Sequence, residues 1–305
     1  MVSNHTNLSA RCPCININIL ILCFLIINIG YLILQSGQKI TLERVEKNEN
    51  GGNDTRIIQI YKKEHQPSQS LEYIYNHYNN EDRKFYHWKE YASHYDFHLK
   101  LLLNMLYNSK TFRMLEIGLL HGGSIEVWKK YFSRMDFKYV GMDINPDCKR
   151  FEDGTRNIFI EIGSQKSATD LMKICQRHGP FDFIVDDGGH TYDMMNTSIE
   201  TLFTTDLCMT RKSLYVIEDM HTMVQKGRFS QHQGDIPGIP AEIFRRIHYY
   251  WSLRKDGYGF NPRWSIFKES DKIWADRVES ITEYDSMMFI HRGAGSGPLT
   301  PIVKG

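Results

Sequence analysis

Two stretches decide the fold: Phe181-Asp-Phe-Ile-Val-Asp-Asp-Gly-Gly-His190 and Leu214-Tyr-Val-Ile-Glu-Asp-Met-His221. Each is an apolar run with strand character that stops at two consecutive acids. Continuous runs of Val, Ile and Phe are typical of parallel strands buried on both faces, and ligands of open α/β sheets bind outside the carboxyl ends of such strands. The pattern therefore predicts a ligand site at two neighbouring strand ends.

The acids at these strand ends predict a cation site. Asp186, Asp187, Glu218 and Asp219 would place their carboxylates close together, and such a cluster is hard to keep ionised unless a cation shares the space. Oxygen ligands with no cysteine nearby favour Mg²⁺, Mn²⁺ or Ca²⁺ over zinc.

The chain before these stretches has the pattern of a doubly wound α/β sheet. Residues Phe112 to Ser124 predict a strand that ends at Glu116, a glycine-rich turn and the start of a helix. A second strand ends at Asp143, an acid in the position that accepts hydrogen bonds from ribose hydroxyls in such folds. A third strand, Asn157 to Ile162, and a helix, Ala168 to His178, follow.

The rest of the chain completes a mostly parallel sheet with an antiparallel edge. We expect a helix over 192–207, a strand over 213–217, a mobile loop over 225–240 and a helix over 242–253. The segments 277–282 and 286–291 predict an antiparallel C-terminal hairpin.

Composition limits the classes of function. The chain has 305 residues, of which 41% are hydrophobic, so it can bury one substantial core. A net charge of +1 gives no electrostatic argument for nucleic-acid binding. The six cysteines lack CxxC spacing and predict neither a zinc site nor a disulfide framework. We expect Cys148, Cys175 and Cys208 to be buried free thiols.

The N-terminal region predicts a membrane anchor. After a short tail, 1–14, residues 15–35 are uncharged and, up to Leu34, apolar apart from Asn16, Asn18 and Asn28, over about the length that a helix needs to span a bilayer. We expect an uncleaved signal anchor, because the apolar run is longer than that of a signal peptide and no small-x-small motif follows it. Single-pass type II placement in the Golgi or endoplasmic reticulum is the expectation, although Lys39, Arg44 and Lys47 favour the opposite orientation.

Two segments lie between the anchor and the predicted domain of residues 112–292. Residues 36–70 are polar and predict a stalk that does not fold. Residues 71–111 have the aromatic spacing of one or two amphipathic helices that cover the sheet or the pocket. We interpret His87, His94 and His98 in this segment as packing residues rather than metal ligands. The tail 293–305 is rich in Gly, Ser and Pro and predicted to be loose.

Five motifs, in this order, resemble a known family. They are Leu115-Glu-Ile-Gly followed by His121-Gly-Gly-Ser, Gly141-Met-Asp143, Ile162-Gly-Ser-Gln165, Phe181 to His190, and Ile217-Glu-Asp-x-His221. Together they resemble the metal-dependent sugar O-methyltransferases of macrolide biosynthesis, of the macrocin and mycinamicin type, over roughly residues 80–292. Proteins named after cephalosporin hydroxylase share much of this pattern.

The resemblance implies a class I methyltransferase fold that uses S-adenosylmethionine and Mg²⁺ or Mn²⁺. Asp187, Glu218 and Asp219 match the metal ligands, and His190 matches the general base. His221 is expected to support the site, and Gly189 departs from the family at a position where many relatives have serine. The residues that match contacts to the methyl donor are Glu116, Gly118, Gly122, Gly123, Ser124, Asp143, Ser164, Gln165 and Asp186.

The expected chemistry agrees with the residue types. A sugar hydroxyl has a pKa far above neutral, so it attacks a methyl group poorly until a metal lowers that pKa and a base removes the proton. The expected substrate is a sugar-containing small molecule, a glycan or a glycolipid. The sequence leaves open whether the chain forms a homo-oligomer.

Three other classes of function are weighed against this one. Iron hydroxylases usually bind their metal with two histidines and one carboxylate, whereas the acids here predict an all-carboxylate site. A NAD-linked oxidoreductase would carry the GxGxxG fingerprint, which the turn after Glu116 lacks. A non-catalytic, membrane-tethered nucleotide-binding domain would not need both the acids and His190.

Overall fold

The computed structural model describes residues 40–47, 53–60, 67–106, 111–223, 238–252 and 268–293. The chain divides into two compact units, Met1–Glu64 and His65–Gly305. The predicted anchor, most of the predicted loop 225–240 and the tail after residue 293 lie outside the described residues. Among the helices in the described ranges, none has the length and apolarity needed to cross a bilayer.

The first unit contains a hairpin in which β1 (Ile40–Lys47) pairs antiparallel with β2 (Asn53–Ile60). This hairpin corrects the prediction that residues 36–70 do not fold. The polar composition concealed the β-branched residues of both segments, which favour strands. That the segment acts as a stalk stays a prediction.

In the described residues, the second unit is built on a sheet of seven strands. They are β3 (Phe112–Ile117), β4 (Phe137–Asp143), β5 (Ile158–Ile162), β6 (Phe181–Asp186), β7 (Met209–Ile217), β8 (Val278–Tyr284) and β9 (Met287–Arg292). Their order in the sheet is β5-β4-β3-β6-β7-β9-β8. Strands β3 to β7 are parallel, and β9 is antiparallel to both β7 and β8. The predicted mostly parallel sheet with a C-terminal hairpin is confirmed.

The described helices of the second unit are α1 (Leu71–Asn76), α2 (Tyr91–Met105), α3 (Gly123–Tyr131), α4 (Ala168–His178), α5 (Tyr192–Leu202), α6 (Ile239–Ile247), α7 (Tyr249–Ser252) and α8 (Lys272–Arg277). Helix α5 ends before the predicted Leu207. The Thr204 hydroxyl donates to the carbonyl oxygen of Glu200 at 2.6 Å. This side-chain bond competes with the backbone hydrogen bonds that would continue the helix.

Two apolar layers hold these helices on opposite faces of the sheet. Side chains alternate across a strand, so Phe183 and Val185 of β6 enter one layer while Ile184 enters the other. The first layer contains the buried residues of α1, α2 and α3, and the second contains those of α4, α5 and α6. The sheet is thus covered on both sides, and its carboxyl edge is where polar groups collect.

A disulfide joins Cys175 to Cys208, and the prediction of free thiols at these positions is wrong. Cys175 lies near the end of α4 and Cys208 directly before β7, which are 33 residues apart in the chain. The spacing follows no framework pattern, and folding alone brings the two residues together. Cys148 is a buried free thiol, as predicted.

Candidate active site

The carboxyl ends of β6 and β7 are neighbours, as the opening stretches predicted. Asp186 pairs with Ile217 in the sheet, and the amide of Glu218 donates to the carbonyl oxygen of Asp186 at 3.0 Å. On the other side, the amide of Asp187 donates to the carbonyl oxygen of Ile117 at 3.0 Å. The acids that follow both strands therefore share one edge of the sheet.

One group at this edge consists of Asp187, His190 and Asp219. The Nε2 atom of His190 lies 3.8 Å from Oδ1 of Asp187 and 3.9 Å from Oδ2 of Asp219. His190 and Asp219 both have a positive φ, 54° and 53°, which is uncommon for residues other than glycine. Such backbone conformations collect at functional sites, where the surrounding structure offsets their cost.

A second group shares Asp187 and adds Glu218 and His87. The Nδ1 atom of His87 lies 3.5 Å from Oε2 of Glu218, and both side chains are 4% exposed or less. In each group, one atom from every member lies within 4.8 Å of the others, a spacing that a metal ion could bridge. His87, which the sequence analysis interprets as a packing residue, thus lies close to two of the acids.

The neighbouring histidines behave as predicted. His94 stacks on the ring of Tyr284 with 3.7 Å between centroids. His98 contacts Nε2 of His291 through Nδ1 at 2.8 Å and stacks on Phe289. Both are packing residues at the C-terminal hairpin.

Aromatic side chains from the start of α2 and the segment before it hold the acids that follow β7. Trp88 Nε1 donates to Oδ1 of Asp219 at 3.2 Å, and the Tyr91 hydroxyl donates to the same oxygen at 2.9 Å. The Tyr95 hydroxyl donates to Oε1 of Glu218. Each acid thus has one oxygen held by an aromatic donor and another that faces a histidine, His87 for Glu218 and His190 for Asp219.

The electrostatics of the cluster are those of a cation site. Burial, and then the negative charge of Glu218, raise the pKa of Asp187 well above its usual value. Burial also raises the pKa of Glu218. Burial lowers the pKa of His190 and that of His87, the latter to about 4, so both imidazoles are neutral at pH 7. A positive ion would relieve the repulsion between the acids.

Asp143, at the end of β4, lies against the turn that follows β3. Its Oδ2 accepts hydrogen bonds from the amides of Leu119 at 2.8 Å and Leu120 at 3.3 Å, and its Oδ1 accepts from the amide of Asn145 at 2.8 Å. Two apolar side chains beside it are open to solvent, Leu120 at 65% and Ile144 at 70%. A carboxylate can accept about four hydrogen bonds, so Asp143 retains capacity for a ligand hydroxyl.

Glu116 lies beneath the turn rather than at an open strand end. Its Oε1 accepts from Trp128 Nε1 at 3.1 Å, and its Oε2 accepts from the hydroxyls of Ser124, at 2.9 Å, and Tyr139. The residue is 1% exposed, and burial raises its pKa to about 7. Glu116 and Ser124 therefore fix the turn from within, and their contact with the methyl donor stays a prediction.

The glycines of the turn differ in what they face. Gly118 has a φ of 92°, and a Cβ there would overlap the carbonyl oxygen of Asp187. A Cβ at Gly122 would lie 3.0 Å from the ring of Phe151, and one at Gly123 would overlap the carbonyl oxygen of Lys84. Of the three, only Gly118 borders the acidic cluster. Gly122 leaves room for the ring of Phe151, and Gly123 leaves room for the backbone of Lys84.

Gln165 connects the buried acid of β6 to the loop that carries His190. Its Nε2 donates to Oδ1 of Asp186 at 2.6 Å and to Ser198 Oγ at 2.8 Å, while its Oε1 accepts from the amide of Gly189 at 2.8 Å. Asp186 is fully buried, which raises its pKa to about 7. Gln165 and Asp186 thus fix the loop that carries His190 to β6, and their contact with the methyl donor stays a prediction.

Two further positions in the loops are explained by their contacts. Ser164 lies beside the first turn of α4, where its amide donates to Asp170 Oδ2 at 3.3 Å. A Cβ at Gly189 would overlap Sδ of Met194, which accounts for glycine at this position. His221 Nδ1 lies 2.5 Å from the hydroxyl of Ser286, so His221 anchors the β8–β9 turn, and its support of the cation site stays a prediction.

Sequence reasoning missed the contributions of His87, Trp88, Tyr91 and Tyr95. Their only sequence signal is the density of aromatic residues between 85 and 97, which predicted a covering helix but not its contacts. Nothing in the linear spacing relates Tyr91 to Asp219, which lies 128 residues further along.

The topology, with its antiparallel C-terminal hairpin and acids at the carboxyl ends of β6 and β7, is that of a methyltransferase fold. It matches the MycE methyltransferase from the mycinamycin biosynthetic pathway in complex with Mg and SAH, with a TM-score of 0.58 and 27% sequence identity over 76% of this chain and 57% of that one. No protein-family model matches the chain.

The sequence relatives of this chain are sugar O-methyltransferases. The mycinamicin VI 2''-O-methyltransferase of Micromonospora griseorubida is 36% identical over 150 residues, which are 47% of this chain and 34% of the relative. The demethylmacrocin O-methyltransferase of Streptomyces fradiae is 33% identical over 148 residues, 46% of this chain and 34% of the relative. The matched region therefore spans about a third of the length of these curated relatives.

Proposed function

We propose that this chain is an S-adenosylmethionine-dependent O-methyltransferase that uses a divalent cation and acts on a hydroxyl of a sugar or glycosylated molecule. The observation that carries the proposal is the position of His190, whose Nε2 faces both Asp187 and Asp219 at 3.8 and 3.9 Å. A neutral imidazole at that place serves as a base beside a cation.

The residues at the strand ends fit a hard divalent cation. Asp187, Glu218 and Asp219 would hold it, through carboxylate oxygens that face the histidines rather than the aromatic donors. The raised pKa values of Asp187 and Glu218 support this assignment, because two buried acids so close together require a positive partner to stay ionised. Mg²⁺ and Mn²⁺ both accept such oxygen ligands.

The edge formed by β3 and β4 fits the methyl donor. Asp143 offers carboxylate oxygens to ribose hydroxyls, and the exposed side chains of Leu120 and Ile144 offer apolar surface to an adenine ring. Gly118 brings the turn against the backbone of Asp187, which places this edge next to the acidic cluster. The MycE complex contains SAH, which supports S-adenosylmethionine as the methyl donor.

The chain's own groups complete the chemistry. When bound, the donor supplies a methyl group on a sulfonium, and the cation lowers the pKa of an alcohol that it binds. His190 accepts the alcohol proton at Nε2. The aromatic donors Trp88 and Tyr91 fix the carboxylate of Asp219, which in turn faces His190 and limits its orientation.

Trp88 supports a sugar as the substrate. Its side chain is 57% exposed although its Nε1–H is bound to Asp219, so its ring is fixed at the site and open to solvent. An exposed, oriented indole offers the broad apolar face against which the C–H face of a sugar ring packs. The relatives that methylate mycinamicin VI and demethylmacrocin support a glycosylated substrate.

Titration calorimetry on the full chain tests the proposal. We expect S-adenosylmethionine to bind, and methyl transfer from labelled donor to a panel of glycosides to require Mg²⁺ or Mn²⁺. Asp187→Asn and His190→Ala should each abolish transfer while donor binding survives. Failure of the wild-type chain to bind the donor would refute the function, and loss of donor binding in both variants would refute the roles.

We also propose that the domain faces the lumen of the secretory pathway, held by the apolar segment 15–35. The Cys175–Cys208 disulfide supports an oxidising compartment, because structural disulfides are rare in the cytosol. Protease treatment of intact microsomes tests the placement: a protected domain is expected, and a digested one contradicts it.

A further inference from the structure

His87 has a buried nitrogen atom for which the protein provides no hydrogen bond. The side chain is 4% exposed, and its Nδ1 is inaccessible to solvent. This atom lacks a hydrogen-bond partner among the described residues. Burying a polar atom without a partner is costly, and such atoms are rare in folded proteins. The atom therefore requires an explanation other than packing.

The ring of His87 is held in one place by its neighbours. It stacks on Phe85, with 4.9 Å between centroids and 24° between planes, and it lies 5.7 Å from the ring of Tyr75. The rings of Phe85 and Tyr75 thus form a cage around the imidazole. In this cage Nδ1 lies 3.5 Å from Oε2 of Glu218, a distance too long for a well-formed hydrogen bond.

His87 also belongs to the compact group formed with Asp187 and Glu218, in which one ring nitrogen and one oxygen of each acid lie within 4.8 Å of one another. A cation placed among them would bind the lone pair of a neutral imidazole and both carboxylates. This arrangement gives Nδ1 its missing partner and relieves the repulsion between the two acids.

We propose that His87 is a ligand of the catalytic cation, bound through Nδ1 together with Asp187 and Glu218. The proposal rests on the proposed function for the cation site and adds a ligand from outside the strand ends. It has a consequence for metal preference: imidazole suits transition metals, whereas Mg²⁺ favours oxygen ligands. The site should therefore bind Mn²⁺ more tightly than Mg²⁺.

Pulsed electron paramagnetic resonance of Mn²⁺ bound to the full chain tests the ligand directly. A coordinated imidazole produces nitrogen modulation of the electron spin echo, and we expect this signal in the wild-type chain. We expect His87→Leu, which fills the cage with apolar atoms, to lose the signal and to weaken Mn²⁺ binding at least about 10-fold. Binding of Mg²⁺ should weaken less, so the preference for Mn²⁺ should shrink.

Two variants control for folding and for the wrong histidine. His94→Ala removes an imidazole that stacks on Tyr284 and should leave Mn²⁺ affinity and the nitrogen signal unchanged. His190→Ala should retain the nitrogen signal, because we place His190 as a base rather than a ligand. Circular dichroism and thermal unfolding of His87→Leu confirm that the cage is intact, and His87→Phe provides a second packing variant.

The outcomes separate this inference from the proposed function. No Mn²⁺ binding, no nitrogen signal in the wild-type chain, or a signal that persists in both His87 variants would each overturn it. A chain that binds the donor and transfers methyl groups but shows no nitrogen ligand would refute the inference alone. A chain that shows the His87-dependent signal but binds no S-adenosylmethionine would refute the proposed function alone.

Discussion

Gly118 and Asp187 approach each other so closely that a Cβ atom on Gly118 would overlap the carbonyl oxygen of Asp187 and lie 2.8 Å from its carbonyl carbon. The glycine follows β3 and the acid follows β6, so this contact joins the two strand ends that carry the proposed donor and cation sites. The backbone of Asp187 is held at two points, because its amide donates to the carbonyl oxygen of Ile117 and its own carbonyl group lies against Gly118.

Gly118→Ala should therefore displace Asp187 and abolish methyl transfer. A positive φ and a backbone overlap both oppose alanine here, and we expect a loss of at least about 2 kcal/mol in the free energy of unfolding. Urea denaturation and donor binding measure the effect. Gly154→Ala is the matched control, because nothing lies within 4 Å of a Cβ there, and it should be neutral.

Trp88 should contribute to sugar binding through its ring and to site geometry through its Nε1–H. Trp88→Ala should raise KM for the glycoside about 10-fold or more, since a contact of 1.4 kcal/mol corresponds to a factor of about 10. Trp88→Phe keeps an aromatic face but loses the bond to Asp219, so it should recover most of KM while kcat stays reduced. Phe97, which is 55% exposed on α2, provides the control, and Phe97→Ala should leave both constants unchanged.

Glu116 should make the domain less stable as pH rises. Its pKa is raised by burial from 4.5 to about 7 in the folded state, so the unfolded chain loses its proton first. By linkage, the contribution of Glu116 to the free energy of unfolding is greatest below about pH 4.5. It falls between about pH 4.5 and about pH 7, by at most about 1.4 kcal/mol per pH unit. Glu116→Gln should flatten this part of the curve, as measured by urea unfolding at several pH values in EDTA.

Glu126 supplies the control of opposite sign. A hydrogen bond from Arg156 lowers the pKa of Glu126, so this acid stabilises the fold above its unfolded pKa and loses that contribution as pH falls. Glu126→Gln should weaken the fold at pH 7 and have little effect at low pH. An unchanged slope in Glu116→Gln would show that another group dominates the titration.

Gln165 should be intolerant of a carboxylate. Gln165→Glu would replace the amide that donates to Asp186 at 2.6 Å with an acceptor, and the two buried acids would repel each other. We expect a loss of about 2–3 kcal/mol at pH 8, partly recovered at pH 5, where one acid is protonated. Lys166→Gln, a change to a side chain that is 47% exposed, should have no effect on thermal unfolding. Equal stability of the Gln165→Glu and wild-type chains would contradict the network.

The sequence predicts most of the sheet and the identity of the acidic cluster because both are local patterns. An apolar run that stops at Asp186 and Asp187 indicates a buried strand and its ligand-facing end at the same time. The neighbouring strand ends then bring Glu218 and Asp219 to the same edge without further information.

The remainder depends on contacts that no local pattern records. His87 and Trp88 meet acids more than a hundred residues away, and the partner of Cys175 is set by where β7 begins. Glu116 is a different case: an acid near the end of a buried strand predicts either a ligand contact or an internal network, and the bonds from Trp128 and Tyr139 reveal the network.

The bonds from Trp88, Tyr91 and Tyr95 to the acids that follow β7 couple occupancy of the cation site to docking of the helix that precedes the first strand of the sheet. An ion that binds the acids in their present arrangement also stabilises the docked position of the helix. Undocking of the helix weakens binding of the ion by the same free energy. We therefore expect the stability of this helix to depend on whether the metal ion is bound. Amide hydrogens of residues 91–105 should exchange more slowly as the ion binds, long before any substrate is present.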